Sequence, residues 1–139
     1  MKGINWAGVI AALVVGQVIG FLWYGMIFEE QWMALSGVTP SGDAANMAMA
    51  YGALNQLVVA VGLAWLIGKT GSATLVGGAM AGLAAGVFFA ATTAAQAFIY
   101  GGADTGLIPI DIGYLLVAYT AMGATVGAVK LGARSAVAA

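Results

Sequence analysis

From Ile4 to Phe28 the chain is an almost unbroken apolar run that closes on Gly20, Phe21, Leu22, Trp23, Tyr24, Gly25, Met26, Ile27 and Phe28. About 20 consecutive apolar residues are what a helix needs to cross the hydrocarbon of a bilayer. Aromatic residues with a polar edge gather where such a helix meets the headgroups. Trp23 and Tyr24 therefore mark a depth. Glu29 and Glu30 follow directly and belong in water, so the first crossing ends there. A cleaved leader has a shorter apolar core and ends on small residues. This run ends on Trp23, Tyr24 and two acids, and it reads as a retained helix.

The same character continues to the end of the chain. Only 6% of the 139 residues are charged, against about 25% in a soluble domain, too few to cover a water-facing surface. The length accommodates four crossings with short connections. The expected helices run from about Ile4 to Phe28, Met47 to Gly68, Leu75 to Tyr100 and Ile108 to Leu131. The fold class that follows is all-α: one transmembrane domain over residues 1–139, an integral membrane four-helix bundle. Between the first two crossings, Glu29 and Glu30 supply acids for a first turn and Gly37 a stop, so a short helix is expected there. Its apolar side of Trp32, Met33 and Leu35 suits an interfacial helix on the membrane surface, or one folded onto the bundle. Thr39 followed by Pro40 resembles an N-cap and first helical residue, so Pro40 is expected to begin a helix that merges into the second crossing.

Small residues recur every four positions along three of the crossings. Gly8, Ala12, Gly16 and Gly20 do so in the first, Gly78, Gly82 and Gly86 in the third, and Gly123 and Gly127 in the fourth. Such strips let helix backbones approach closely, and helix packing is the role assigned to Gly16, Gly20, Gly78, Gly82, Gly86, Gly123 and Gly127.

The charges divide by side. Lys2, Lys69, Lys130 and Arg134 fall at the termini or between helices 2 and 3, whereas Glu29, Glu30, Asp43, Asp104 and Asp111 fall at the opposite ends. Lys and Arg near crossings stay cytoplasmic, which puts both termini inside. Four basic residues against none also argue against a small four-helix multidrug exporter of dual topology, which needs a weak bias. Chemistry is restricted as well. The chain has no Cys and no His, which removes thiolate chemistry and the commonest metal ligand. No catalytic residue, metal or cofactor is assigned, and four scattered basic residues offer no nucleic-acid footprint.

The polar residues inside the crossings lie mostly in the acidic half. Tyr51 and Asn55 are four apart on helix 2, with Gln56 beside them. Gln96 and Tyr100 are four apart on helix 3, and Asp111 and Tyr114 three apart on helix 4, with Tyr24 contributed by helix 1. Their convergence on a pocket open to the outer face is expected, because an amide facing lipid leaves donors unpaired. The candidate ligand-binding residues are Tyr24, Tyr51, Asn55, Gln56, Gln96, Asp111 and Tyr114. Gln17, near the middle of helix 1, is expected to face the bundle, more simply as an interhelical hydrogen bond than as a ligand contact. Asp111 admits two readings: an acid favoured by the N-terminal dipole and water, or a buried cation or proton site. The other half of the bundle holds almost nothing polar, so an aqueous channel through one copy is disfavoured.

The residues Trp23, Tyr24 and Gly25, then Trp32, Met33 and Gly37, then Ile110 through Tyr114 with Met122 and Gly123, resemble the bacterial membrane family called domain of unknown function 1761. The resemblance covers nearly the whole chain. It implies an integral protein of the bacterial inner membrane without an assigned activity, and it supplies no catalytic residue. Three functional readings remain. The first is a non-enzymatic, self-associating membrane protein that holds or transports a lipid or small molecule in its outer pocket. The second is a structural accessory subunit of a larger membrane complex. The third is a membrane enzyme, the weakest reading because five isolated acids with no His or Cys offer no nucleophile and base.

The charge division makes a direct prediction. Reporter fusions after Gly42 and at the C-terminus report opposite compartments, with the C-terminal fusion cytoplasmic. A periplasmic signal from the C-terminal fusion defeats the assignment.

Overall fold

The computed structural model describes residues 3–130, and within them the chain is helical, joined by short turns. Lys2, Leu131 and Arg134, used above for the end of the last crossing and for the charge count, lie outside the described residues. Asn5 begins α1 (Trp6–Leu22): its side-chain oxygen accepts from the Gly8 N–H at 3.0 Å, satisfying one of the free donors of a helix start. The helix widens into a π-helical turn over Trp23–Ile27, closed by the Phe28 N–H on the Trp23 carbonyl at 2.9 Å. The short α2 (Glu29–Ser36) follows with both acids in its first turn. Gly37, at φ 69°, ends it in the left-handed region that favours glycine.

The second crossing, α3 (Gly42–Thr70), is the longest helix; five helical residues precede the expected Met47, in keeping with a helix that merges into the crossing from before it. Pro40 is not its first residue. Gly42 stands at φ 55°, a left-handed conformation that cuts Pro40 off from the helix, and the extended Ser41 precedes it. The early start has a plain cause. Ala44, Ala45, Met47 and Ala48 are good helix formers, and nothing obliges a helix to stop where hydrocarbon stops. The third crossing is a continuous rod of α4 (Leu75–Ala85), a π-helical segment Gly86–Ala91 and α5 (Thr92–Ile99). Thr92 Oγ1 donates to the carbonyls of Phe88 and Phe89 at 2.8 and 3.1 Å, engaging backbone acceptors beside the widened turns. Asp104 caps a 3₁₀ turn, Thr105–Leu107, and α6 (Ile108–Ala128) completes the chain with Pro109 in its first turn.

Four stretches are long and apolar enough to cross a membrane: Trp6–Ile27, Gly42–Thr70, Leu75–Ile99 and Thr105–Ala128. They match the four expected crossings. The bundle is organised around α6, which packs on α1, α3, α4 and α5, most extensively on α4. The α4–α6 seam is glycine on glycine in antiparallel register. A Cβ added to Gly78 would stand 3.0 Å from the Gly127 Cα, one added to Gly82 3.2 Å from the Gly123 Cα, and one added to Gly86 3.3 Å from the Tyr119 Cβ. Carbonyl oxygens of Gly123 and Tyr119 lie nearer still to the first two. The glycine steps of the third and fourth crossings are thus spent on each other inside one chain.

Size is sorted opposite to a soluble protein. The interior is largely small, with Gly8, Ala12, Gly16, Ala60, Ala64, Gly78, Gly82, Ala118, Gly123 and Gly127 buried. Large apolar side chains such as Phe21, Val76, Phe88 and Phe89 point outward. Without a hydrophobic drive between helices in lipid, close backbone approach supplies the contact energy, and bulk goes to the lipid side. The apolar core of Val9, Ala12, Ala60, Leu63, Ala64, Ile67, Met122 and Val126 fills the end that carries Lys69 and Lys130, here the basic end. Asn5 staples that end by donating from Nδ2 to the Val126 carbonyl at 3.0 Å and to the Val129 carbonyl.

The seam predicts a steep size limit. Gly82→Leu drives a side chain into the α6 backbone and costs about 3 kcal/mol or more, by the logic of overpacking, read as a lower melting temperature in detergent. Val76→Leu, on an exposed position, leaves melting unchanged. Equal melting of the two variants would mean that the α4 face is lipid-exposed.

Candidate functional site

The acidic end is built differently from the basic end. At the end of α1 two consecutive aromatic residues both address the start of α6, where the wider turn of the π-helical segment carries them. Trp23 Nε1 donates to the Ile110 carbonyl at 2.9 Å, and Tyr24 OH donates to Asp111 Oδ1 at 2.8 Å. Gly113 leaves room for the indole, since a Cβ there would lie 3.2 Å from Trp23 Cζ2. The Tyr24 ring meets Tyr114 edge to face at 5.0 Å and 62°, a favoured aromatic geometry.

One level deeper, Gln56 of α3 binds three groups at once. Its Nε2 donates to the Tyr114 hydroxyl oxygen at 2.6 Å and to the Gly16 carbonyl at 3.0 Å, and its Oε1 accepts from Gln17 Nε2 at 2.7 Å. Gly16 and Gly20 make this possible. A Cβ on Gly16 would reach 3.0 Å from Gln56 Oε1 and 2.9 Å from Met122 Sδ, and one on Gly20 would sit 3.5 Å from the Tyr114 hydroxyl. These two glycines therefore admit side chains from α3 and α6, beyond the helix packing expected of them.

α2 folds back over the cluster. Trp32 packs edge to face on Tyr24 at 5.8 Å, and Leu35 lies against Gly106 of the 3₁₀ turn, where a Cβ would be 3.0 Å from Leu35 Cδ1. The result is a half-buried group of Tyr24, Gln56, Asp111 and Tyr114 with Gln17 below and Trp32 above. Asp111 and Tyr114 keep hydrogen-bonding capacity without a partner among the described residues. Asp111 accepts through one oxygen only, from Tyr24, and the Tyr114 hydroxyl accepts from Gln56 while keeping its own proton to give.

Convergence is therefore half of what the spacing suggested. Tyr24, Gln56, Asp111 and Tyr114 come together, whereas Tyr51 and Asn55 lie exposed on the outward face of α3 and Gln96 lies exposed on α5, as does Tyr100. On α3 the decisive spacing is that of Gln56 with Ala60, Leu63, Ala64 and Ile67, one helix face, from which Tyr51 and Asn55 are turned away. On α5 the face toward the bundle is taken by the half-buried Ala94, Ala95 and Phe98. Gln17 satisfies its amide through an interhelical hydrogen bond, as expected, although its side chain sits at the bundle's edge and is exposed. Asn5, at the basic end, was not singled out from the sequence, and Trp32 was read only as part of the apolar side of a helix on the membrane surface or folded onto the bundle. Asn5 carried a readable sign, an Asn just before an apolar periodic run. Trp32 as the cover of Tyr24 carried none, because it joins residues brought together only by the fold.

No curated protein and no solved structure matches the chain significantly. One family does match, over residues 7–127, and it is described as "Protein of unknown function (DUF1761)". With most of its length inside that match, the chain belongs to the DUF1761 family.

Proposed function

We propose that this chain is a non-enzymatic, multi-pass protein of the bacterial inner membrane, with both termini cytoplasmic, that associates with itself. It binds a lipid or small molecule at the acidic-end cluster, which on this topology faces outward. The observation that carries the reading is Asp111. A carboxylate in the first turn of α6, favoured there by the helix dipole, engages one oxygen with Tyr24 and leaves the other without a partner among the described residues. The free proton of the Tyr114 hydroxyl lies one helical turn away. A ligand whose polar end both donates and accepts hydrogen bonds suits that pair, with its apolar remainder in lipid. On this reading α2 lies at the outer membrane surface as the cover of the site. The second reading, an accessory subunit of a larger membrane complex, is favoured by the first half of α3, which no other helix of the chain covers.

Purification in mild detergent followed by mass spectrometry of retained molecules tests the site. Asp111→Asn removes the charge from a hydrogen bond worth about 1.5–3 kcal/mol, roughly a 10- to 100-fold loss of retained ligand, with melting little changed. Gln56→Ala breaks the bonds to Gly16, Gln17 and Tyr114 and lowers the melting temperature whatever is bound. If the wild-type protein retains nothing and Asp111→Asn destabilises as much as Gln56→Ala, the cluster is a structural network and the ligand reading is lost.

A further inference from the structure

The first half of α3 stands outside the bundle. From Gly42 to Asn55 nearly every residue is exposed, and the buried positions of the helix are Ala60, Leu63, Ala64 and Ile67, all in its second half. A polar end reaching beyond the hydrocarbon needs no partner. Asn55 does, because of its depth. Its neighbour Gln56 is bonded to the Gly16 carbonyl and to Gln17, and those two residues lie at the middle of the Trp6–Ile27 crossing. Asn55 is therefore near the middle of the membrane, and a side chain two bonds long cannot reach an interface about 15 Å away.

Most of the other outward polar groups are accounted for, and Thr93, exposed on α5, offers a single hydroxyl where Asn55 offers a whole carboxamide. Gln17 is bonded to Gln56, Thr92 to its own helix, and Gln96 lies three residues from the end of α5. Tyr51 is one turn nearer the acidic end than Asn55, and its side chain is long enough to bring a hydroxyl toward that surface. Asn55 has no hydrogen-bond partner among the described residues, and both its donors and its acceptor would face hydrocarbon. The surrounding face carries a second sign. Gly52 and Gly62 lie three residues before and seven after Asn55, flanking it on the outward surface, and a Cβ on either would meet nothing within 4 Å. Every glycine of the α4–α6 seam faces a backbone; these two leave room for a backbone that the described residues do not supply.

We infer that this face of α3 is where two copies of the chain meet, with Asn55 of each copy hydrogen-bonded to Asn55 of the other. The inference rests on the membrane-spanning reading and locates the self-association proposed above. A second copy is the partner that depth selects. Copies inserted in one orientation are related by an axis perpendicular to the membrane, so each residue meets its counterpart at its own depth. A carboxamide donates and accepts, and two of them close a reciprocal pair that neither a carboxylate nor an ammonium can make with itself. A single Asn on a helix interface is also a known device for fixing register. No charged residue stands in the way: the face around Asn55 is Ala48, Tyr51, Gly52, Val58 and Gly62.

The chain has no Cys, so single cysteines report cleanly. Oxidative cross-linking in native membranes is expected to give covalent dimers with Val58→Cys and Gly62→Cys, and none with Ile10→Cys or Met80→Cys, which are exposed on α1 and α4. Light scattering in detergent is expected to show a dimer whose dissociation constant rises about tenfold in Asn55→Leu and stays close to wild type in Asn55→Gln. Cross-links at Ile10 or Met80 without any on α3, an unchanged dimer in Asn55→Leu, or cross-links from α3 to a different protein each overturn the inference while leaving the membrane reading intact. A chain released from membranes by alkaline carbonate overturns both.

Discussion

The fold depends on the close approach of two backbones, α4 and α6. In lipid a Leu gains little by leaving the solvent, because hydrocarbon tails are as apolar as another helix. What remains is dispersion, which grows as helices come closer, and Gly78, Gly82, Gly123 and Gly127 let this pair come as near as backbones allow. α6 then serves as the post on which α1 and α3 are hung. The alanines at 12, 60 and 64 continue the same economy of size at the basic end, where Val9, Ile67, Met122 and Val126 fill what space is left.

Toward the acidic end the helices are held by hydrogen bonds where the basic end relies on packing. Gln56 ties α3 to α1 through the Gly16 carbonyl and to α6 through Tyr114, while Trp23 and Tyr24 tie α1 to the first turn of α6. Single bonds of this kind contribute about 0.6 kcal/mol on average in membranes, so the set matters less for stability than for register. Rotating α3 by one residue would remove Gln56 from Gly16 and bring another side chain against it. Gly16 and Gly20 are needed at both tasks, admitting the amide and the phenol while letting α1 lie close.

Much of this architecture was legible in the sequence, because a membrane imposes few solutions. Apolar length placed the four crossings, Glu29, Glu30 and Gly37 placed the short helix, and the glycine steps at 78, 82 and 86 placed a close contact. The family could be read from the short motifs Trp23 to Gly25, Trp32, Met33 and Gly37, Ile110 to Tyr114, and Met122 with Gly123, among which Tyr24 turns out to touch Trp32, Asp111 and Tyr114. The errors at the site share one cause. Polar pairs four apart identify a common face but not which way it looks, and on α3 the inward direction was written in Ala60, Leu63, Ala64 and Ile67, which align with Gln56 and turn Asn55 outward. Depth along a helix follows from counting residues, whereas rotation about its axis is decided by the small residues of the neighbours. The helix leading into the second crossing was expected to begin at Pro40 and begins at Gly42, because Ser41 is extended and Gly42 left-handed, neither of which a Thr-Pro signal reports.

The division of the bundle bears on where a ligand site can form. Tight packing tolerates no added volume, as the seam glycines make plain, so the basic half offers no room for a guest. The acidic half has a widened turn at Trp23–Ile27, a first half of α3 that leaves the bundle, and a cover made by one short helix through Trp32 and Leu35. Segments with few buried contacts open at the least cost, and binding elements are drawn from them. α2 can lift from Tyr24 by giving up one edge-to-face contact and the packing of Leu35 on the turn, while the α4–α6 seam is untouched. Asp111 stands at the join between the two regimes: its helix is fixed by glycine packing, and its carboxylate is bonded to Tyr24, the residue that Trp32 of α2 covers.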